Sequence, residues 1–273
     1  MKPGIHLNID ADIYHSWPYC SASRLNRLKE TSPAHVAHEM KQGGRDPTPA
    51  MLLGTAIHAA VLEPDKFRDE FVSSPYDDFR SKDAKGWRDK ATAAGRSVLD
   101  PERYQQVLAA AASVFSHASA SKLLGLRTMT EASVVWVDET SSVKCKARCD
   151  AVANLADVPV LLDLKTTSDA SAEGFAKSIF NFGYHRQVEL YLRGLRANGV
   201  YADSALIIAV ETTPPHAVQV FRIMDAVLEH AQKDNDELLM RWNNCEMTGH
   251  WHGYAQEVVD IALPDWVMKR IGS

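Results

Sequence analysis

The sequence predicts an α/β protein in which a central mixed β-sheet is flanked by helices and preceded by a helical N-terminal portion. Three observations carry this prediction. Helix starts and helical spacing dominate the first part of the chain. Three consecutive runs in the middle then switch to a period of two. A helix separates those runs from two further extended segments. No repeat, low-complexity tract or Pro/Gly/Ser linker interrupts the 273 residues. A single domain is therefore expected, with the helical portion over about 1–125, the sheet core over about 126–223 and a C-terminal helix and tail over about 224–273.

Each element has its own signal. Ser21 or Ser23 caps a helix running through Lys29, and Ser32-Pro33 is an N-cap followed by the N1 proline that a helix start tolerates. A third helix covers about Pro49 to Leu62 and ends before Pro64. Ser73 to Lys90 carries Arg80, Lys82, Lys85, Arg88 and Lys90 and reads as a mobile basic insertion. Pro101-Glu102 opens an alanine-rich helix reaching about Phe115. The strands are Ser133 to Val137, Val143 to Val152 and Val158 to Thr166. A helix from about Gly183 to Asn198 follows, then strands Ala205 to Thr212 and Ala217 to Ile223 joined through Pro214-Pro215. A polar helix from Asp225 to about Trp242 ends the folded part.

Composition excludes several classes. With 45% hydrophobic and 24% charged residues the chain is neither disordered, collagen-like nor disulfide-dense. Thirty basic against 35 acidic residues give a net charge of −5, so any nucleic-acid contact must come from a local patch. The longest apolar runs, such as Ala205 to Val210, fall far below the ~20 residues of a membrane span. The opening MKPGIHLNID lacks the apolar core of a signal peptide, and a cytoplasmic protein without membrane partners is expected. Cys20, Cys145, Cys149 and Cys245 are scattered, which favours buried reduced thiols over an iron–sulfur cluster or disulfides.

The informative stretch is Lys144 to Lys165. Strand alternation puts Lys144, Lys146, Arg148 and Asp150 on one face and Cys145, Ala147 and Cys149 on the other. In the next strand Asp163 and Lys165 share a face while Leu162 and Leu164 share the opposite one. A carboxylate inside the apolar run VPVLLDL is costly unless it is paired or binds a metal. A hairpin brings Asp150 close to Asp163, where like charges call for a divalent cation between them; a salt-bridged Asp/Lys edge strand is the alternative. His58 lies on a helix apolar nearly all round, as a satisfied core residue or as a metal ligand. Tyr184, Gln187 and Tyr191 follow the i, i+3, i+7 spacing of one helix face. A glutamine between two tyrosines is odd for a core and suits contact with a phosphate or base.

This ordered set, His58, Asp150, Asp163-Leu164-Lys165 and Gln187-x-x-x-Tyr191, resembles the RecB-like branch of the PD-(D/E)xK nucleases, and within it the RecE (exonuclease VIII) family. Segments GTAIHAAVLEP, KCKARCDAV, DLKTT and FGYHRQVELY look like that family's blocks, and the similarity spans about residues 15–212. Cys149 stands where the pattern has a proline before the first acid. The resemblance implies a restriction-endonuclease-like core and Mg²⁺, with Mn²⁺ as substitute. It implies metal ligation by His58, Asp150, Asp163 and the Leu164 carbonyl, and a water-orienting, charge-offsetting Lys165. Gln187 and Tyr191 would position the DNA strand.

Two residues stay open between roles. Glu131 is either an acid near the metal or an ordinary strand-end glutamate. Arg148, with Lys146 beside it on the same face, binds DNA phosphate or pairs with an acid. The activity implied is digestion of the 5′-ended strand of linear duplex DNA, leaving a 3′ single strand for an annealing protein in phage-type recombination. A homo-oligomeric ring, a tetramer, would line its hole with Lys144, Lys146, Arg148 and the Arg80–Lys90 cations. The rivals are a non-ring helicase-linked or CRISPR-associated nuclease and a non-catalytic DNA-end-binding protein. His35-x-x-His38 lacks the glutamate of a zinc protease helix, and His250-Trp251-His252 lies in a loop-like tail. No glycine-rich phosphate loop marks an ATP-driven motor.

Overall fold

The computed structural model describes residues 1–42 and 48–263. Strand β1 (Gly4–His6) leads into α1 (Ala11–Ser16), whose first amides are capped by the Asp10 side chain. Helices α2 (Ala22–Glu30), α3 (Pro33–Gln42), α4 (Pro49–Leu62) and α5 (Pro64–Glu70) follow. The Thr48 side chain caps α4, and Pro64 ends it while starting α5. A parallel pair, β2 (Phe71–Ser73) and β3 (Ser97–Leu99), brackets α6 (Lys82–Ala93). Ser81 caps α6, so the cations Lys82, Lys85, Arg88 and Lys90 lie on an ordered helix, which corrects the insertion expected there. Ser21 precedes α2 but makes no capping hydrogen bond.

Helices α7 (Pro101–Ser116) and α8 (Ala118–Gly125) precede the long strands β4 (Arg127–Val137), β5 (Lys144–Leu155) and β6 (Val158–Thr167). Then come α9 (Ala172–Asn181), α10 (Tyr184–Ala197), β7 (Ala205–Glu211), β8 (Val218–Arg222) and α11 (Asp225–Thr248). The main sheet has the order β1-β4-β5-β6-β7-β8, antiparallel throughout except for β6 against β7. It is the mixed sheet the pattern predicts. The sequence reading missed β1 and the β2–β3 pair, each only three residues per strand.

Helices cover both faces. On one side Leu25, Leu28, Val188, Leu192, Leu239 and Trp242 from α2, α10 and α11 pack over Trp136, Cys145, Cys149 and Ile207. On the other, Ile57, Val61, Val107 and Val114 from α4 and α7 pack over Leu164, Ile208 and Val210. All four cysteines are free and buried. Among the described residues no single helix is long and apolar enough to cross a membrane.

Candidate active site

The site forms where β5 and β6 part. Their register runs from Leu155↔Val158 up to Ala151↔Leu162 and stops there. The next residues on the two strands are Asp150 and Asp163. Beyond the stop, the Leu164 amide donates to Asp150 Oδ2 at 2.7 Å, so the carboxylate satisfies a backbone donor that the ladder has released. Two carboxylates thus face a gap in the sheet.

Glu131 comes to the same place from β4. Its flanking pairs, Thr130↔Ala151 and Ala132↔Cys149, put it level with Asp150. Its φ of 48° lies in the left-handed region that non-glycine residues rarely adopt. Such a conformation persists only when the surroundings enforce it. The strand also changes face here: Met129, of odd number, and Val134 and Trp136, of even number, all meet the same core. Arg148 Nε lies 2.5 Å from Glu131 Oε2, and Arg148 Nη1 donates to the Ile9 carbonyl at 2.9 Å. Of the two roles open for Arg148, the structure displays the acid pair.

His58 arrives on α4. Gly54, one turn earlier, lets the helix approach β6 closely, because a Cβ there would meet Thr166 Oγ1 at 3.3 Å. His58 Nδ1 lies 3.6 Å from Asp150 Oδ2. One ligand atom each from His58, Glu131 and Asp150 falls within 4.8 Å of the others. Deeper in the gap, Lys165 Nζ sits 2.5 Å from Asp163 Oδ2 and 5.0 Å from the centre of the Tyr184 ring. On α10, Gln187 Nε2 donates to Tyr191 Oη at 2.8 Å, and Tyr191 is buried. The structure therefore gathers His58, Glu131, Asp150, Asp163, Leu164 and Lys165 in one gap, with Tyr184 closing it from α10.

The electrostatics fit a divalent cation. Asp163 is fully buried, and beyond its ion pair with Lys165 neither oxygen has a hydrogen-bond partner. Burial, then the neighbouring Asp163, pushes the Asp150 carboxyl up to about 7. Glu131 is also raised, by burial and by Asp150. Lost hydration, then Lys165, lowers His58 to about 4, leaving its imidazole neutral as metal ligation requires. Burial alone would depress Lys165, but Asp163 and Asp150 outweigh it and hold the ammonium above its ordinary value. Three crowded acids, one of them the under-bonded buried Asp163, and a neutral imidazole are the donor set of a hard cation such as Mg²⁺ or Mn²⁺.

Other expected residues lie elsewhere. Lys146 is buried, and its ammonium donates to the carbonyls of Tyr14 (2.7 Å), His15 (3.2 Å) and Trp17 (2.8 Å). All three N–H groups are used by α1 and its C-cap residue Trp17, so this residue is a structural tie and not the open phosphate contact expected. Lys144 donates to the Met1 carbonyl and lies over the Tyr19 ring. His35 bonds Ser32. A second group, His185, His230 and Asp234, was not anticipated, but Lys29 and Arg186 already pair with Asp234. The seat of Tyr184 on Lys165 was also missed; its signal was the i, i+3, i+7 stripe with Gln187 and Tyr191.

Fold and site together define a nuclease architecture of the PD-(D/E)xK type. The chain belongs to the family described as PDDEXK-like domain of unknown function (DUF3799), whose model matches residues 21–261. Among solved structures it resembles a Eubacterium rectale protein named "Putative exonuclease", at 15% identity and a TM-score of 0.63, covering 96% of each chain. Two others, SSO0001 (13% identity, 66% of this chain and 83% of that one) and VC1899 from Vibrio cholerae (8%, 90% and 58%), reach TM-scores of only 0.28 and 0.25. No curated protein matches.

Proposed function

We propose that this chain is a Mg²⁺-dependent exodeoxyribonuclease, with Mn²⁺ able to substitute, acting on linear double-stranded DNA. The observation that carries the reading is the buried, under-bonded Asp163 beside Asp150, His58 and Glu131 at the fork of β5 and β6. His58, Glu131 and Asp150 would hold the cation, with Asp163 and the Leu164 backbone bordering it. A bound divalent ion supplies charge relief for the scissile phosphate and a more acidic attacking water. Lys165, kept protonated by its two acids, orients that water and offsets phosphate charge instead of removing a proton. Gln187 and Tyr191 hold the strand in register with the carboxylates.

The finer reading follows the RecE resemblance. The enzyme digests the 5′-ended strand and leaves a 3′ single strand for an annealing protein in phage-type recombination in the cytoplasm. It works as a homo-oligomeric ring, a tetramer, around the duplex. The exposed Arg80 and the α6 cations Lys82, Lys85, Arg88 and Lys90 supply the local positive charge that the net charge of −5 withholds elsewhere. End-labelled linear duplex with Mg²⁺, compared with closed circular DNA and with Asp163→Ala, tests the reading. Release of label from the 5′ end and an intact circle support it. Cleavage that survives the substitution overturns it.

A further inference from the structure

Two phenylalanines project from the corner between α9 and α10: Phe180 is 69% exposed and Phe182 60%. Rings of this size ordinarily go inside. Phe180 stacks on His185 and borders a separate apolar cavity under α9 and α11. Phe182 faces other company. Its ring lies 5.6 Å from that of Tyr184, which in turn lies 5.0 Å from the Lys165 ammonium. A line of aromatic surface thus leads from the candidate cation site to open solvent.

The corner is built to keep Phe182 there. Asn26 Nδ2 donates to the Phe182 carbonyl at 3.1 Å, and Arg186 Nε donates to Asn26 Oδ1 at 2.9 Å. Gly183 takes a φ of 66°, and a Cβ at that position would meet Arg186 Nη2 at 2.4 Å and Asn26 Oδ1 at 2.6 Å. Only a glycine lets the chain turn this tightly beneath the clamp. An exposed apolar ring on a backbone fixed from two other helices is not a loose surface side chain.

We infer that Phe182, backed by Tyr184, is a stacking ledge for a DNA base near the strand end whose phosphate enters the Asp150–Asp163 gap. The inference rests on the nuclease reading and names a positioning residue within it. The ring has no hydrogen-bonding group for a phosphate, but every base offers a face to stack on it. Tyr184 stands between Phe182 and the Lys165 ammonium, in contact with each. Phe182 therefore meets a nucleotide close to, but not at, the cleaved bond.

The test uses the full chain with Ca²⁺ in place of Mg²⁺ and a linear duplex carrying 2-aminopurine at successive positions from its end. Stacking on Phe182 quenches the fluorophore at one or two end-proximal positions. Phe182→Ala should abolish that quenching and weaken end binding at least about fivefold, with Phe182→Trp restoring both. With Mg²⁺ the Ala variant should raise KM more than it lowers kcat. Unchanged quenching and KM in Phe182→Ala, with wild-type cleavage intact, overturn the ledge alone. A changed sedimentation coefficient of Phe182→Ala with unaltered DNA affinity assigns the ring to contact between copies and also overturns it. Failure of the wild-type protein to bind or cleave DNA sinks the nuclease reading and the ledge together.

Discussion

Lys165 holds its ammonium 2.5 Å from Asp163 Oδ2, two residues away on the same face of β6, inside a sheet that buries the carboxylate completely. The pair is an unequal one. Lys165 can also rest on the Tyr184 ring, whereas Asp163 has no hydrogen-bond partner beyond the lysine. Removing the cation should therefore hurt more than removing the acid. Lys165→Met is expected to destabilise the metal-free protein by about 3–5 kcal/mol, since it strands a buried charge. Added Mn²⁺ should recover part of that loss. Urea denaturation with and without the ion measures both.

Asp163→Asn keeps the shape of the site and removes the charge. Nuclease activity should fall at least about a hundredfold, because charge relief at the phosphate depends on the carboxylates that place the cation. Far-ultraviolet circular dichroism should match wild type. Release of acid-soluble label from linear duplex in Mg²⁺ gives the rate. Retention of more than a tenth of it would argue that Asp163 only seats Lys165.

Metal affinity should depend on pH in a defined direction. Asp150, with its carboxyl near 7 in the metal-free fold, takes up a proton below that pH, and the proton competes with the ion. A folded-state value above the unfolded ~3.9 means that this group favours folding at low pH. That contribution declines as pH rises from about 4 and is gone above about 7. His58 acts oppositely: its value near 4, below the unfolded ~6.5, costs stability as pH falls through that window. Above pH 7 neither titration changes stability further, and a bound cation offsets the burial of the ionised Asp150. Apparent Mn²⁺ affinity should drop about tenfold per unit below pH 7, so the thermal shift at pH 8 should exceed that at 5.5. Asp150→Asn should flatten the dependence.

The sequence makes the site legible through residues that break their own context. Asp163 is a charge inside VPVLLDL, and His58 is a ring nitrogen on an apolar helix. Both come to the gap that β5 and β6 open. What stays hidden is whatever depends on distant chain. Alternation puts Lys146 on the polar face of β5, but the short α1, which follows the three-residue edge strand β1, and its C-cap Trp17 fold over that face and bury it. Neither is long enough to announce itself by periodicity. Glu131 looks like any strand-start glutamate because nothing local signals a left-handed φ. The helix α6 is hidden by its mixed charge, although Ser81 and Asp83 carry an ordinary N-terminal signature.

The burial of Lys146 separates structure from DNA contact. Lys146→Met keeps the aliphatic stem but leaves the Tyr14, His15 and Trp17 carbonyls without their donor. Stability should fall by about 1–3 kcal/mol. DNA affinity and its salt dependence should not change, because a lysine tied to three carbonyls releases no counterion on binding. Lys85→Ala on α6 should do the reverse, lowering the salt slope by about one without altering stability. Fluorescence anisotropy of labelled duplex over a salt series, beside urea denaturation of the same proteins, distinguishes the two. A reduced salt slope in Lys146→Met would return that residue to the DNA surface.

Close packing of α10 against the sheet supplies the last expectation. Gly194 lies under the Trp136 ring, and a Cβ there would come within 2.6 Å of it. Alanine is the better helix former by about 1 kcal/mol, so a freely exposed position would gain from Gly194→Ala. Here the methyl must push α10 off β4 or turn the buried indole. That strain, about 1–3 kcal/mol, should more than cancel the gain and leave the variant destabilised. The same helix carries Tyr184, Gln187 and Tyr191, so its displacement should also raise KM for DNA while Mn²⁺ affinity, set by α4, β4 and β5, holds. Thermal denaturation, cleavage kinetics and a Mn²⁺ titration of the one variant check the three parts. A more stable Gly194→Ala protein with unchanged KM would show that α10 does not press on the sheet where Trp136 lies.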